Sequence, residues 1–128
     1  MLFRSAITDG LGYILYFFNN TTNGSSALPV TLDVSGAAPT ADVAVTLSGT
    51  YALLGNPFYQ SIKIDDLNGN NSGDGTQNGL KSPISVWSDA SGSYLTYNLG
   101  ASHVLNAWQG FFLERNSKQT PLQKANFS

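Results

Sequence analysis

Apolar and polar positions alternate with a period of two along much of this chain, while the 3.6-residue spacing of an amphipathic helix is nearly absent. In Val30-Thr31-Leu32-Asp33-Val34-Ser35, the residues Val30, Leu32 and Val34 fall on one face and the polar residues on the other. Asp42 to Ser48 repeats the pattern, with Val43, Val45 and Leu47 expected to point inward. Tyr13 to Phe18 is apolar on both faces, which predicts a central strand covered on both sides. Further strands are predicted over Tyr51–Leu54, Ser61–Ile64, Ile84–Trp87, Ser93–Asn98 and Gly110–Arg115. About eight short strands bounded by turn formers predict an all-β fold, an antiparallel, jelly-roll-like β-sandwich.

The intervening segments supply the turns. Asn19 to Ser26 holds only Asn, Thr, Gly and Ser, too polar to bury, and reads as a long hairpin loop. Ser88 to Gly92 lies between two aromatic-rich strands and predicts a short hairpin, with Gly92 free to take a positive φ. Gly36 to Thr40, with Pro39, separates two alternating strands. Asp65 to Gly79 is the longest stretch expected to be irregular, and a loop of about 15 residues in a compact domain is usually functional or mobile. Pro57 biases Asn56 away from helix and donates no ladder hydrogen bond, while the Asn56 side chain can bond nearby backbone and fix a bend. Gly110 would permit a bulge or close packing where its strand begins. Alternation ends after Arg115. The sandwich is therefore expected over 1–115, with 116–128 a tail or linker toward a following domain that has room for one weak strand.

Composition fits this layout. Hydrophobic residues make up 41% of the 128, enough for one core, while charged residues are only 11%, against about 25% in an ordinary soluble domain. Helices normally carry Glu and Lys on their exposed faces, so the scarcity of charge also favours sheets. The six basic residues are scattered and the net charge is −2, so no basic face for nucleic acid is expected. The chain has no cysteine, which excludes disulfides, a thiol nucleophile and thiolate metal ligands. No stretch approaches the roughly 20 apolar residues that span a bilayer as a helix. Met1 to Gly10 lacks the apolar core of about 7–15 residues of a signal peptide, so any export signal is expected upstream.

Three kinds of chemistry have candidate residues. His103 is the only histidine, and no Gly-x-Ser-x-Gly elbow or similar nucleophile context accompanies it. Among the carboxylates, Asp33 and Glu114 fall on polar strand faces. Asp42, Asp65, Asp66, Asp74 and Asp89 fall in loops, with no recognisable acid–base pairing. The chain is accordingly not expected to be an enzyme and needs no cofactor. Calcium is the one metal with candidates: Asp65, Asp66, Asn68, Asn70 and Asp74 offer oxygens in one polar stretch, the ligands a hard cation prefers. Asn71 nevertheless replaces the turn glycine of a helix–loop–helix calcium site, and Gln77 its bidentate glutamate. For carbohydrate, sugar rings stack on exposed aromatics. If Leu95 and Tyr97 face the core, Tyr94, Thr96 and Asn98 form an outward polar-aromatic row, with Trp87 in the neighbouring strand.

Some segments carry wording as well as pattern. Tyr51-Ala52-Leu53-Leu54-Gly55-Asn56-Pro57-Phe58 resembles the W-N-L-x-G-N-P-Y phrase of large exported proteins of the Bacteroidetes and related bacteria. Ser85-Val86-Trp87-Ser88-Asp89 with Gly92-Ser93-Tyr94-Leu95-Thr96-Tyr97-Asn98 resembles their V-W-D…G-x-Y-x-x-Y-N hairpin, and Gln109-Gly110-Phe111-Phe112-Leu113 the Q-G-F-F-V strand that follows. Gly12-Tyr13-Ile14-Leu15-Tyr16 and Leu28 to Val34 match upstream, in the same order. Phe58 stands where tyrosine is usual, and Gln60–Leu67 lacks the tryptophan often seen after the Ile-Asp pair. The resemblance, from Gly12 to Leu113, implies a β-sandwich module that commonly precedes the C-terminal sorting domain of type IX secretion cargo.

The expectation is a non-catalytic structural or adhesive module of a larger secreted or cell-surface bacterial protein, packed beside other domains of that protein. The alternative is a carbohydrate-binding module serving an enzyme elsewhere in the same full-length chain.

Overall fold

A computed structural model describes residues 7–15, 35–70, 76–116 and 124–127. They form eleven short strands: β1 (Val43–Thr46), β2 (Tyr51–Gly55), β3 (Ile62–Lys63), β4 (Asn68–Gly69), β5 (Thr76–Gln77), β6 (Leu80–Lys81), β7 (Ile84–Ser88), β8 (Ser93–Tyr97), β9 (Val104–Leu105), β10 (Gly110–Glu114) and β11 (Lys124–Phe127). One 3-10 turn, Ile64–Asp66, follows β3, and no α-helix occurs among the described residues. The fold is all-β and sandwich-like, with every strand pairing among the described residues antiparallel.

The largest sheet has the order β2-β10-β7-β8, and a three-stranded sheet has the order β1-β11-β4. Alternation decides what each strand buries. In the large sheet Leu54, Ile84, Val86, Phe111 and Leu113 turn inward; from the smaller sheet come Val45, Ala125 and Phe127. The Phe111 and Phe127 rings meet edge to face across the two sheets, centroids 6.1 Å apart. Leu47, Ile64, Leu67, Leu80, Leu99 and Leu105 close the same core from turns and short strands. Full burial of one such side chain contributes about 1.5–3 kcal/mol.

The strands expected over 42–48, 51–54, 84–87, 93–98 and 110–115 are present, with Val45 and Leu47 buried and Val43 packed against the core. The hairpin between β7 and β8 turns through 89–92, with Gly92 at φ 60. Other expectations are corrected. Residues 13–15 are not a covered central strand. Tyr13, Ile14 and Leu15 lie outside any strand and are 50%, 58% and 61% exposed, because only residues 10–12 run along β2. The described parts of the stretch 65–79, residues 65–70 and 76–79, contribute most of the 3-10 turn, β4 and β5. The expected tail over 116–128 supplies β11, the middle strand of its sheet, with Ala125 and Phe127 fully buried. Most of the strand expected over 30–35, the loop over 19–26 and residues 16–18 lie outside the described residues.

Candidate binding face

Because side chains alternate along a strand, the outer face of the large sheet carries the residues left over by the core. The register places Trp87 of β7 opposite Tyr94 of β8, Ser85 opposite Thr96, and Phe112 of β10 beside both Ser85 and Leu53 of β2. Trp87 and Tyr94 contact edge to face with centroids 5.1 Å apart, and Tyr94 meets Phe112 the same way at 5.6 Å. Trp87 is 50% exposed and Tyr94 52%. The indole Nε1 donates to Asp89 Oδ1 at 2.7 Å, so the hairpin turn fixes the ring it carries.

The chain entering the fold builds the opposite wall. Gly12 N–H donates to the Leu53 carbonyl and Gly55 N–H to that of Gly10, which lays residues 10–12 along β2. A Cβ at Gly12 would stand 2.6 Å from Leu53 Cγ and 2.7 Å from the Leu54 oxygen, so this approach requires glycine. Tyr13 and Ile14 then stand over the sheet. Together they and Leu53, Ser85, Trp87, Tyr94, Gly110, Phe111 and Phe112 line an open cleft of about 370 Å³. Gly110, at the start of β10 opposite Gly55, adds no side chain to it.

Among the described residues the lining holds no carboxylate, amine, guanidinium or imidazole. It offers aromatic faces, a serine hydroxyl and tyrosine hydroxyls. That chemistry stacks on flat or ring-shaped ligands and supplies a few hydrogen bonds; it provides no charged acid–base pair.

Of the residues expected on this face, the fold brings Trp87 and Tyr94 together. Thr96 points the same way but lies outside the lining, and Asn98 stands past the end of β8, its carbonyl closing a turn with Ala101 N–H. Tyr97 packs against the core as expected, whereas Leu95 is 40% exposed at the sheet edge. Phe112, Leu53, Tyr13 and Ile14 come from distant segments; with Ser85, which shares β7 with Trp87, they are lining residues that the sequence reading does not single out. The outward alternation in β10 and β2 is the signal that would have found Phe112 and Leu53.

The oxygen-rich stretch is described only in part. Asp66 Oδ2 accepts from Lys63 N–H at 3.3 Å, capping the 3-10 turn, and Asn68 Oδ1 accepts from Asn126 Nδ2 at 3.1 Å within the smaller sheet. Asp65 and Asn70 are exposed, and Asp74 lies outside the described residues. No group of three acidic, histidine or cysteine side chains is gathered among the described residues. His103 stacks flat on Tyr97, ring centroids 3.6 Å apart, and makes no hydrogen bond to serine or carboxylate among the described residues. No described helix is long and apolar enough to cross a membrane. Comparison of the chain with protein-family models, with curated proteins and with solved structures gives no match.

Proposed function

We propose that this domain is a non-catalytic adhesive module of a larger secreted or surface-attached protein, and that it attaches through the outer face of its large sheet. The observation that carries the reading is the Trp87–Tyr94–Phe112 cluster, its first two rings half exposed, over a cleft with no charged group among the described lining residues. Solvent-facing aromatics gathered in one place mark contact surfaces, whereas singly scattered ones do not. The resemblance of the phrases from Gly12 to Leu113 to modules of exported bacterial proteins supports the surface location and the presence of neighbouring domains.

A second reading makes the same face a carbohydrate-binding site that assists an enzyme in the full-length chain. It is favoured by the hydroxyls of Ser85 and Thr96 beside the Trp87 and Tyr94 rings, since a pyranose presents an apolar face to an aromatic ring and hydroxyls at its edge. A glycan array with the wild-type chain and the Tyr94→Ala variant tests this. Retained glycans that Tyr94→Ala loses, with its melting temperature within about 2 °C of wild type, support it; an array with no retained glycan removes it. The adhesive reading itself falls if adhesion of beads coated with the chain to bacterial or host cell surfaces is unchanged by Trp87→Ala.

A further inference from the structure

Trp108 has a backbone conformation unfavourable for a bulky residue, and its ring gains little burial there. It occupies the third position of the turn Asn106 to Gln109, closed by Gln109 N–H to the Asn106 carbonyl at 3.0 Å, and its φ is 60. Glycine is the residue suited to that position. The indole is nonetheless 59% exposed.

The turn is held firmly. Trp108 N–H donates to the Asn56 carbonyl at 3.1 Å, and Gln109 Oε1 accepts from Asn106 N–H at 2.9 Å. Asn56, 1% exposed, donates through Nδ2 to the carbonyls of Leu105 and Asn106. The same side chain organises the other loop: Nδ2 also reaches the Gln60 carbonyl at 2.8 Å, and Oδ1 accepts from Phe58 N–H at 3.0 Å. Between those two contacts stands Tyr59, 66% exposed, its ring 6.3 Å from that of Trp108 and tilted by 52°. One buried amide thus sets two loops so that two aromatic rings project side by side into solvent. Strained backbone that a well-bonded frame maintains is the kind found at ligand-binding positions.

The surroundings define the ligand. Neither 55–62 nor 105–110 contains a charged side chain; the exposed polar groups are the amides and hydroxyl of Gln60, Asn106 and Ser61. The two loops themselves therefore offer an anion no cationic side chain. Neutral sugar rings fit both halves of the arrangement, C–H faces against the aromatics and hydroxyls against the amides. Preset rings also lower the ordering cost of binding.

We propose that Trp108 and Tyr59 form a second binding site, for neutral hexose or pentose units of a polysaccharide, separate from the outer-face cleft. This does not rest on the glycan reading of that cleft. The full chain is run in native gels containing neutral β-glucan, xylan, mannan or galactan. At least one polysaccharide slows the wild type; Trp108→Gly and Tyr59→Ala migrate as in its absence, and Trp87→Ala remains slowed. Trp108→Gly also melts about 2–5 °C higher than wild type, because glycine relieves the left-handed conformation. The proposal is overturned if no polysaccharide slows the wild type, if Trp108→Gly is slowed as the wild type is, or if Trp108→Gly melts lower. Abolition by Trp87→Ala as well would make the two places one site and overturn the second. Abolition by Trp87→Ala alone leaves only the cleft.

Discussion

Phe111 and Phe112 are adjacent in β10 and chemically identical, yet one is 1% exposed against Phe127 and the other faces outward beside Tyr94. The same contrast runs through the whole large sheet. Its inner face is closed by Leu54, Ile84, Val86, Phe111 and Leu113; its outer face displays Leu53, Trp87, Tyr94 and Phe112 around an open cleft. A sheet with one solvated side normally alternates apolar with polar residues. Here β10 and the β7–β8 hairpin place aromatic residues on the solvated side too. Apolar character on the inner face is explained by the core. On the outer face folding leaves it unexplained, and the proposed contact surface would account for it.

The contrast can be broken most strongly from within. Phe111→Ala should destabilise the domain by about 3–5 kcal/mol in urea denaturation, through the lost contact with Phe127 and the cavity left behind. Phe112→Ala should cost less than half of that, and equal losses would mean that the outer face is as closed as the core. Asn56→Ala comes next, at about 2–4 kcal/mol by the same assay. It removes a fully buried side chain that bonds the backbone at Phe58, Gln60, Leu105 and Asn106, and it leaves those groups short of partners.

Trp87→Ala sharpens the comparison from outside. It should reduce stability by about 1 kcal/mol, the worth of an exposed edge-to-face pair, while removing the main surface of the cleft. The smallest effect is expected at Glu114, whose Oε1 meets Lys81 Nζ at 2.7 Å with both side chains about one-third exposed. Glu114→Gln should change stability by less than about 1 kcal/mol, and by still less in high salt.

Where a strand was long enough to alternate, it was legible in the sequence. Val43, Val45 and Leu47 gave β1 its inward face, and Gly92 with its polar neighbours gave the β7–β8 hairpin. β3 lies inside the strand expected over 61–64, whereas the two-residue strands β4, β5, β6 and β9 are too short to show any period. The Asn78-Gly79 turn between β5 and β6, with φ of 53 and 76, does have a local signature, the Asn-Gly pair that favours a tight hairpin. β11 was hidden for another reason. Ala125 and Phe127 are buried because β1 and β4 flank them, a condition set by partners far away in the chain. The apolar run at 13–15 erred the other way: it is exposed because those residues pass over the sheet edge instead of entering it. At the candidate site, Trp87 and Tyr94 were legible because they share one hairpin. Phe112, Leu53, Tyr13 and Ile14 join them only through a register that no local pattern encodes.

If the outer aromatic face is a contact surface, Trp87 reports on it directly. The chain has two tryptophans, so Trp108→Phe leaves Trp87 as the sole indole emitter. Titrating that variant with the glycans retained on the array should give a saturable blue shift of Trp87 emission as ligand displaces water from the ring. Emission that stays unchanged to millimolar concentration for every retained glycan would contradict the glycan form of the account. Unchanged emission together with undiminished cell-surface adhesion by Trp87→Ala would contradict the claim for the face as a whole.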